Sequence, residues 1–222
     1  MEGFLPARDA IAWSAVAAPF VMAGVRSVER SLAQKPRLKA LLGVAIAFTF
    51  ALSALKLPSV TGSCSHPTGV GLGTILFGPL VMALTSSVVL LFQALLLAHG
   101  GITTLGANTF SMGVVGPLIT YMVFRLARKG GLGIGPSVFA AAVSGNIATY
   151  LTTSLQLALA YPDPTGGIIL SLVKFAGIFA VTQVPLAVTE GLLTVMMVNL
   201  LLAYSTSEMR TLGLIVGGGK QV

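Results

Sequence analysis

Charge is what this sequence has least of. Only 9% of its 222 residues are charged, 13 Lys and Arg against 6 Asp and Glu, where an ordinary soluble domain carries about 25%. So few charges cannot build a water-facing surface. That excludes a soluble globular protein and leaves an integral membrane protein with several spans. The length suits a single transmembrane domain over residues 1–222, with no room for a second, soluble one. Cysteine is nearly absent. Cys64 stands alone, so no internal disulfide can form and the redox compartment stays open. A basic leader is also missing. Glu2, Arg8 and Asp9 precede the first apolar run, which is expected to be a retained span rather than a cleaved secretory signal. No ladder of carboxylates runs through the apolar segments, which argues against a passive ion channel.

Positive charge is present but confined. Arg26, Arg30, Lys35, Arg37 and Lys39 fall in one gap between apolar runs, and Arg125, Arg128 and Lys129 in another. These read as cytoplasmic loops under the positive-inside bias, not as a phosphate-tracking surface, so no nucleic-acid partner is expected. Apolar runs cover about 10–28, 39–55, 70–98, 109–127, 134–160 and 167–204, and a helical span needs about 20 residues. The third run is too long for one upright helix and is interrupted at Gly78-Pro79. Loop charge decides how often it crosses. Two short helices of about 14 residues bring both basic loops to one side, whereas a single pass separates them. The expected fold is therefore all-α, with about seven transmembrane helices, the N-terminus outside and the C-terminus cytoplasmic. The last run is long enough to bend near Pro185 or to extend past the bilayer.

The polar residues that remain are candidates for function. "SVTGSCSHPTGVGLG", Ser59 to Gly73, lies between two apolar runs and holds Cys64, Ser65 and His66. Pro67 fixes one dihedral and holds His66 on a stiff, extended backbone. Gly69, Gly71 and Gly73 admit close backbone approach. An imidazole so mounted suits a divalent ion of the cobalt, nickel, copper or zinc group. The other histidine, His99, falls on the same side by the topology above. With Asn108, Thr109 and Ser111 nearby, it is a candidate for orienting a ligand or fixing a loop. Cys64 and His66 could also serve as nucleophile and base of an intramembrane enzyme, but no Asp or Glu lies near to orient the pair. Lys174 and Glu190 are charges within the last span. Lys174 can snorkel to the outer end, while Glu190 needs a partner such as Gln183 or Asn199, or another protein. Gly43, Ala47 and Ala51 line one face of the second span, either for packing within the chain or for docking another membrane subunit. "GVGLG" and "GGGKQ" lack the context and spacing of phosphate loops, so any ATP must be used by another subunit.

The segments "EGFLP", "LPSVTGSCSHPTGVGLGTILFGPLV" and "LLFQALLLAHGGITTLGANTFSMGVVGP" resemble the cobalt-transport family CbiM, most densely from Leu55 to Gly116. The resemblance implies the substrate-capture component of an energy-coupling-factor importer with Co2+ as transported substrate, Ni2+ as the alternative, and no catalytic cofactor. It implies three partners: a transmembrane coupling subunit, cytoplasmic ATPase subunits and a small auxiliary membrane subunit. It also implies service to cobalamin biosynthesis from the cell membrane. In that family the ion is held by the terminal amine, the next backbone nitrogen, a histidine directly after the initiator methionine, and a loop histidine. The loop histidine matches His66. The family begins Met-His-Ile, whereas Glu2 follows Met1 here. Only His66 therefore carries over, and the chain as written is expected to bind cobalt poorly, with a Met-His-Ile extension restoring uptake. The loop glycines are expected to leave room for the terminal backbone.

Overall fold

The computed structural model describes residues 4–58 and 64–214. The chain's first three residues and the "GGGKQ" segment lie outside the described residues, as do the side chain of Cys64 and the stretch 59–63. Nine helices order the rest: α1 Ala7–Gln34, α2 Leu38–Ala54, α3 Val70–Phe77, α4 Pro79–Leu96, α5 Leu105–Asn108, α6 Gly116–Lys129, α7 Ile134–Ala160, α8 Gly167–Tyr204 and α9 Thr206–Thr211. A π-helical turn, Thr109–Val115, joins α5 to α6 without a break. Two residue pairs, β1 Leu57–Pro58 and β2 Cys64–Ser65, form a small antiparallel ladder that closes the base of the loop before α3. Among the described residues, five stretches are long and apolar enough to cross a membrane: α1, α4, the run Leu105–Lys129, α7 and α8. The shorter α2, at 17 residues, is also apolar.

The helices begin and end where local chemistry directs. Pro79 opens α4 at its first turn, where a missing N–H costs nothing, and Gly78 before it takes φ 86, a conformation that a side chain disfavours. The break in the third apolar run is thus where the sequence puts it, but its halves are unequal. They are α3 with 8 residues and α4 with 18, not two helices of about 14. At 1.5 Å per residue α3 is about 12 Å long, too short to span a hydrocarbon layer of about 30 Å. Every one of its residues up to Leu76 is buried, so it lies inside the protein rather than against lipid. The 38-residue α8 is continuous through Pro185 and about 57 Å long, so it extends beyond the hydrocarbon layer.

The bundle has two distinct ends. At one, Leu38, Leu41, Leu72, Ile75, Leu76, Phe124, Val138, Val198, Leu201 and Met209 form the largest apolar cluster. Lys35 Nζ donates to Thr211 O there at 2.9 Å, tying the α1–α2 turn to α9. The basic last turn of α6, Arg128 and Lys129, follows Phe124 at this end and suits the negative pole of the helix. The opposite end carries Phe4, Lys56, His66, His99 and Tyr161 around one cavity. Between the ends the usual pattern is inverted. Large apolar side chains such as Ile169, Val173, Val181 and Leu192 point outward, while Thr49, Ser53, Gln93, Asn146, Gln156, Gln183 and Glu190 are buried inside. A bilayer selects this arrangement, because apolar surface is at home in lipid and polar groups must find partners in the interior.

Candidate metal centre

His66 lies between β2 and α3 and lines the cavity, whose volume is ≈ 380 Å³. Its Nδ1 is 2.8 Å from Pro67 O. A carbonyl can only accept, so Nδ1 carries the proton and Nε2 keeps the lone pair that a metal needs. The backbone of His66 is held from both sides. Its N–H donates to Tyr150 Oη at 3.2 Å, and its carbonyl accepts from the same hydroxyl at 3.2 Å and from Gln183 Nε2 at 3.2 Å. Two residues on, Thr68 N, Thr68 Oγ1 and Gly69 N donate to the Glu190 carboxylate at 2.6, 2.8 and 2.9 Å. Gly69 has φ +69, and a Cβ there would lie 2.8 Å from Thr49 Cα. The loop therefore sits hard against α2, at a backbone conformation that glycine alone takes easily.

His99 follows α4, with its ring centroid 4.7 Å from that of His66 and the two planes at 90°. Its N–H donates to Gln93 O at 3.2 Å, and its Nδ1 is buried without a hydrogen-bond partner. Burial pushes its pKa down to about 4, helped by the neighbouring His66 and Lys56. The ring is therefore neutral at pH 7 and offers a lone pair without first losing a proton. Asn108 lines the same cavity and donates to Thr104 Oγ1 at 3.3 Å. Ser111, also lining it, donates to Asn108 O at 3.2 Å. Thr109 is buried in the π-helical turn. Ser65 is fully buried and bonded to Thr182 Oγ1 at 2.7 Å, away from the ring of His66. Phe4 lines the cavity too, and its carbonyl accepts from Tyr161 Oη, so the start of the described chain lies at the histidine site.

Among the described residues no three His, Cys, Asp or Glu side chains converge. The described side chains lining the cavity offer an ion imidazole nitrogen and amide or hydroxyl oxygen, and no carboxylate is among them. That donor class suits cobalt and nickel and gives little purchase to calcium or magnesium.

Several expectations are corrected. Glu190 bonds to Thr68, Gly69 and Asn146, not to Gln183 or Asn199, although Gln183 joins it through Asn146. Among the loop glycines, Gly69 meets α2 at Thr49, Gly71 meets α7 at Ala142 and Gly73 meets α4 at Met82. Each makes room for a neighbouring helix, while the terminal residues 1–3 lie outside the described residues. Gly43, Ala47 and Ala51 face outward, and a Cβ on Gly43 would touch nothing within 4 Å, so this face does not pack within the chain. Lys174 is at the cavity end as expected, but it pairs with Asp163. The hydrogen bonds of that pair and of Thr165 and Gly166 hold the Asp163 carboxyl well below the usual range.

Sequence reasoning missed Tyr150, Asn146, Thr68 and Gln93. A signal existed for two of them. Gln93 and Asn146 interrupt apolar runs, and an amide inside a span is a functional suspect on the same grounds as a charge. Tyr150 lies one helical turn beyond Asn146, on the same face.

Comparison with known proteins bears on the family and the fold. A family described as the cobalt uptake substrate-specific transmembrane region, CbiM, matches residues 1–208. The chain is 59% identical over 222 residues to cobalt transport protein CbiM 2 of Pelobacter propionicus, covering 100% of this chain and 98% of that one. It is 63% identical over 203 residues to cobalt transport protein CbiM of Desulforamulus reducens, covering 91% and 80%. A crystal structure of a truncated transition metal transporter shares the fold at a TM-score of 0.79 and 24% identity, covering 91% of this chain and 97% of that one.

Proposed function

The chain belongs to the CbiM family of cobalt-uptake transmembrane proteins, and on that premise we propose that it is the substrate-capture subunit of an energy-coupling-factor importer supplying cobalt for cobalamin biosynthesis. Cobalt is the ion this family transports, and the chain is a multi-pass protein of the cell membrane. In the proposed orientation the histidine end faces outward and the basic, apolar-sealed end faces the cytoplasm. The chain passes from one end of the bundle to the other seven times, the third time by the His66–Gly69 segment together with the enclosed α3 and the fourth by α4, with the N-terminus outside and the C-terminus cytoplasmic. The positions of Lys35, Arg128 and Lys129 support this, because positive loops stay on the cytoplasmic side.

Capture begins when hydrated Co2+ enters the cavity and exchanges water for nitrogen. His66 supplies Nε2. His99 supplies a neutral neighbouring imidazole, and Asn108 and Ser111 supply polar contacts for remaining waters. The nearness of Phe4 supports a contribution from the chain's amino terminus. The observation that carries the proposal is the pair of imidazoles, 4.7 Å apart, on the wall of one cavity in a CbiM-family chain. The chain works as a binding subunit and not as an enzyme. A transmembrane coupling subunit docks on the outward face of Gly43, Ala47 and Ala51, cytoplasmic ATPase subunits supply the energy, and a small auxiliary membrane subunit completes the complex.

The test is radioactive cobalt uptake by cells expressing the complex, with nickel measured in parallel. His66→Ala should abolish uptake and His99→Ala should reduce it. A Met-His-Ile extension should raise it. Uptake that persists in His66→Ala overturns the proposed site, and nickel accumulation without cobalt overturns the choice of ion.

A further inference from the structure

Glu190 is a carboxylate in the middle of a membrane helix, and nothing in cobalt capture as described calls for it. It is fully buried, as is Asn146. Two of its four donors are the backbone N–H groups of Thr68 and Gly69, which immediately precede α3. Gly69 caps α3, at the helix start whose N–H groups lack intrahelical partners, and Thr68 N–H lies one residue before it. Glu190 supplies that partner from another helix and places negative charge at the positive pole of α3. Its second oxygen also accepts from Asn146 Nδ2 at 2.6 Å. Asn146 Oδ1 in turn accepts from Gln183 Nε2 at 2.6 Å, and Gln183 Nε2 reaches back to His66 O at 3.2 Å. The bonds form a closed circuit: Glu190 to Thr68, along the chain through Pro67 to His66, across to Gln183, through Asn146 and back to Glu190. Gln183 and Glu190 are seven residues apart on α8, two turns along one face.

We infer that Glu190, with Asn146 and Gln183, is the positioning device that fixes the His66 imidazole for metal capture. The inference rests on the proposed role of His66. A loop without regular hydrogen bonds has no stiffness of its own, and an imidazole that wanders cannot hold a metal geometry. The circuit removes that freedom at two points. Pro67 makes the short path between them rigid, because its ring locks φ. Loss of an outer partner that orients a metal ligand typically costs about 10–100-fold in metal affinity. The same connection makes the site sensitive to α8. A shift of α8 against α7 breaks the circuit and frees His66 from its mount, which gives a route from helix movement to ion release.

The experiment uses the full chain in lipid nanodiscs, titrated with Co2+ and followed by its ligand-field absorption, with the unfolding midpoint of the metal-free protein measured alongside. Glu190→Gln puts an amide N–H among donors and should weaken Co2+ binding roughly 10–100-fold, the range for lost outer partners, and should shift the spectrum. Gln183→Met, which removes the bonds to the His66 carbonyl and to Asn146 Oδ1 but leaves the Glu190 carboxylate and its donors in place, should act in the same direction and less strongly. If both variants melt earlier yet bind Co2+ with the parent's affinity and spectrum, Glu190 is merely structural and the inference falls. If Glu190→Gln does not fold, an unchanged affinity and spectrum in Gln183→Met overturns it alone. His66→Ala separates the two ideas. Parent-like binding there removes the site itself, whereas loss there with parent-like Glu190→Gln and Gln183→Met removes only the positioning role.

Discussion

The two ends of the bundle are built from opposite materials. Around Leu38, Leu76, Phe124 and Met209 the helices meet through apolar side chains. Around His66 they meet through Tyr150, Gln183, Asn146 and Glu190, beside an open cavity. An apolar end closes by dispersion contacts and tolerates no ion. A polar end holds its loop by directed bonds and leaves room for one. On the proposed reading, the difference teaches that stability and capture reside in separate places, with the hollow end as the one that receives the ion.

Substitutions can break that division. The largest effect is expected for His66→Ala, with Co2+ binding by the purified chain falling to background while its unfolding midpoint stays near that of the parent. Next, Phe124→Ala opens a cavity in the apolar end and should cost about 3–5 kcal/mol in denaturant unfolding, with the Co2+ affinity of the folded fraction unchanged. If affinity falls with stability, the ends are not independent. Gly69→Ala combines a positive φ with a Cβ 2.8 Å from Thr49 Cα. It should cost about 1–3 kcal/mol and, unlike Phe124→Ala, weaken Co2+ binding as well, because the loop must move. Ala47→Leu, on the outward face of α2, should leave Co2+ binding by the isolated chain intact and reduce co-purification with the coupling subunit. The smallest effect belongs to Asp163→Asn. Its partner Lys174 is 58% exposed, and solvent and salt screen such a pair. The Asp163 carboxyl is held below its usual range, so its contribution is present above the ordinary carboxylate pKa and is lost only as pH falls through the lowered value. A midpoint at pH 7 that moves clearly would show the surface loop to be tied to the core.

Most of the helix boundaries were legible because composition alone marks them. The run read at 134–160 is α7, Ile134–Ala160, and that at 167–204 is α8, Gly167–Tyr204. The interruption at Gly78-Pro79 was legible too, since both residues act on their own backbone. The unequal split was not, because α3 is short only by virtue of being enclosed by other helices. The π-helical turn at Thr109–Val115 left no mark in the periodicity. At the site, the sequence singled out His66 and His99 by rarity. It could not place Tyr150 or Asn146 beside the loop, because they matter through partners 84 and 44 residues away in the chain.

By itself the sequence determined the solvent of this protein and its candidate ligands. Scarcity of charge is a property of the whole chain, and a histidine followed by proline is stiff wherever it lies. Only the tertiary structure decided that the two imidazoles share a wall, that Glu190 belongs to the loop before α3, and that the small residues of α2 face outward. Those facts depend on which helices lie side by side. In a bilayer that choice is set by close packing and hydrogen bonding between distant segments, which no local pattern encodes.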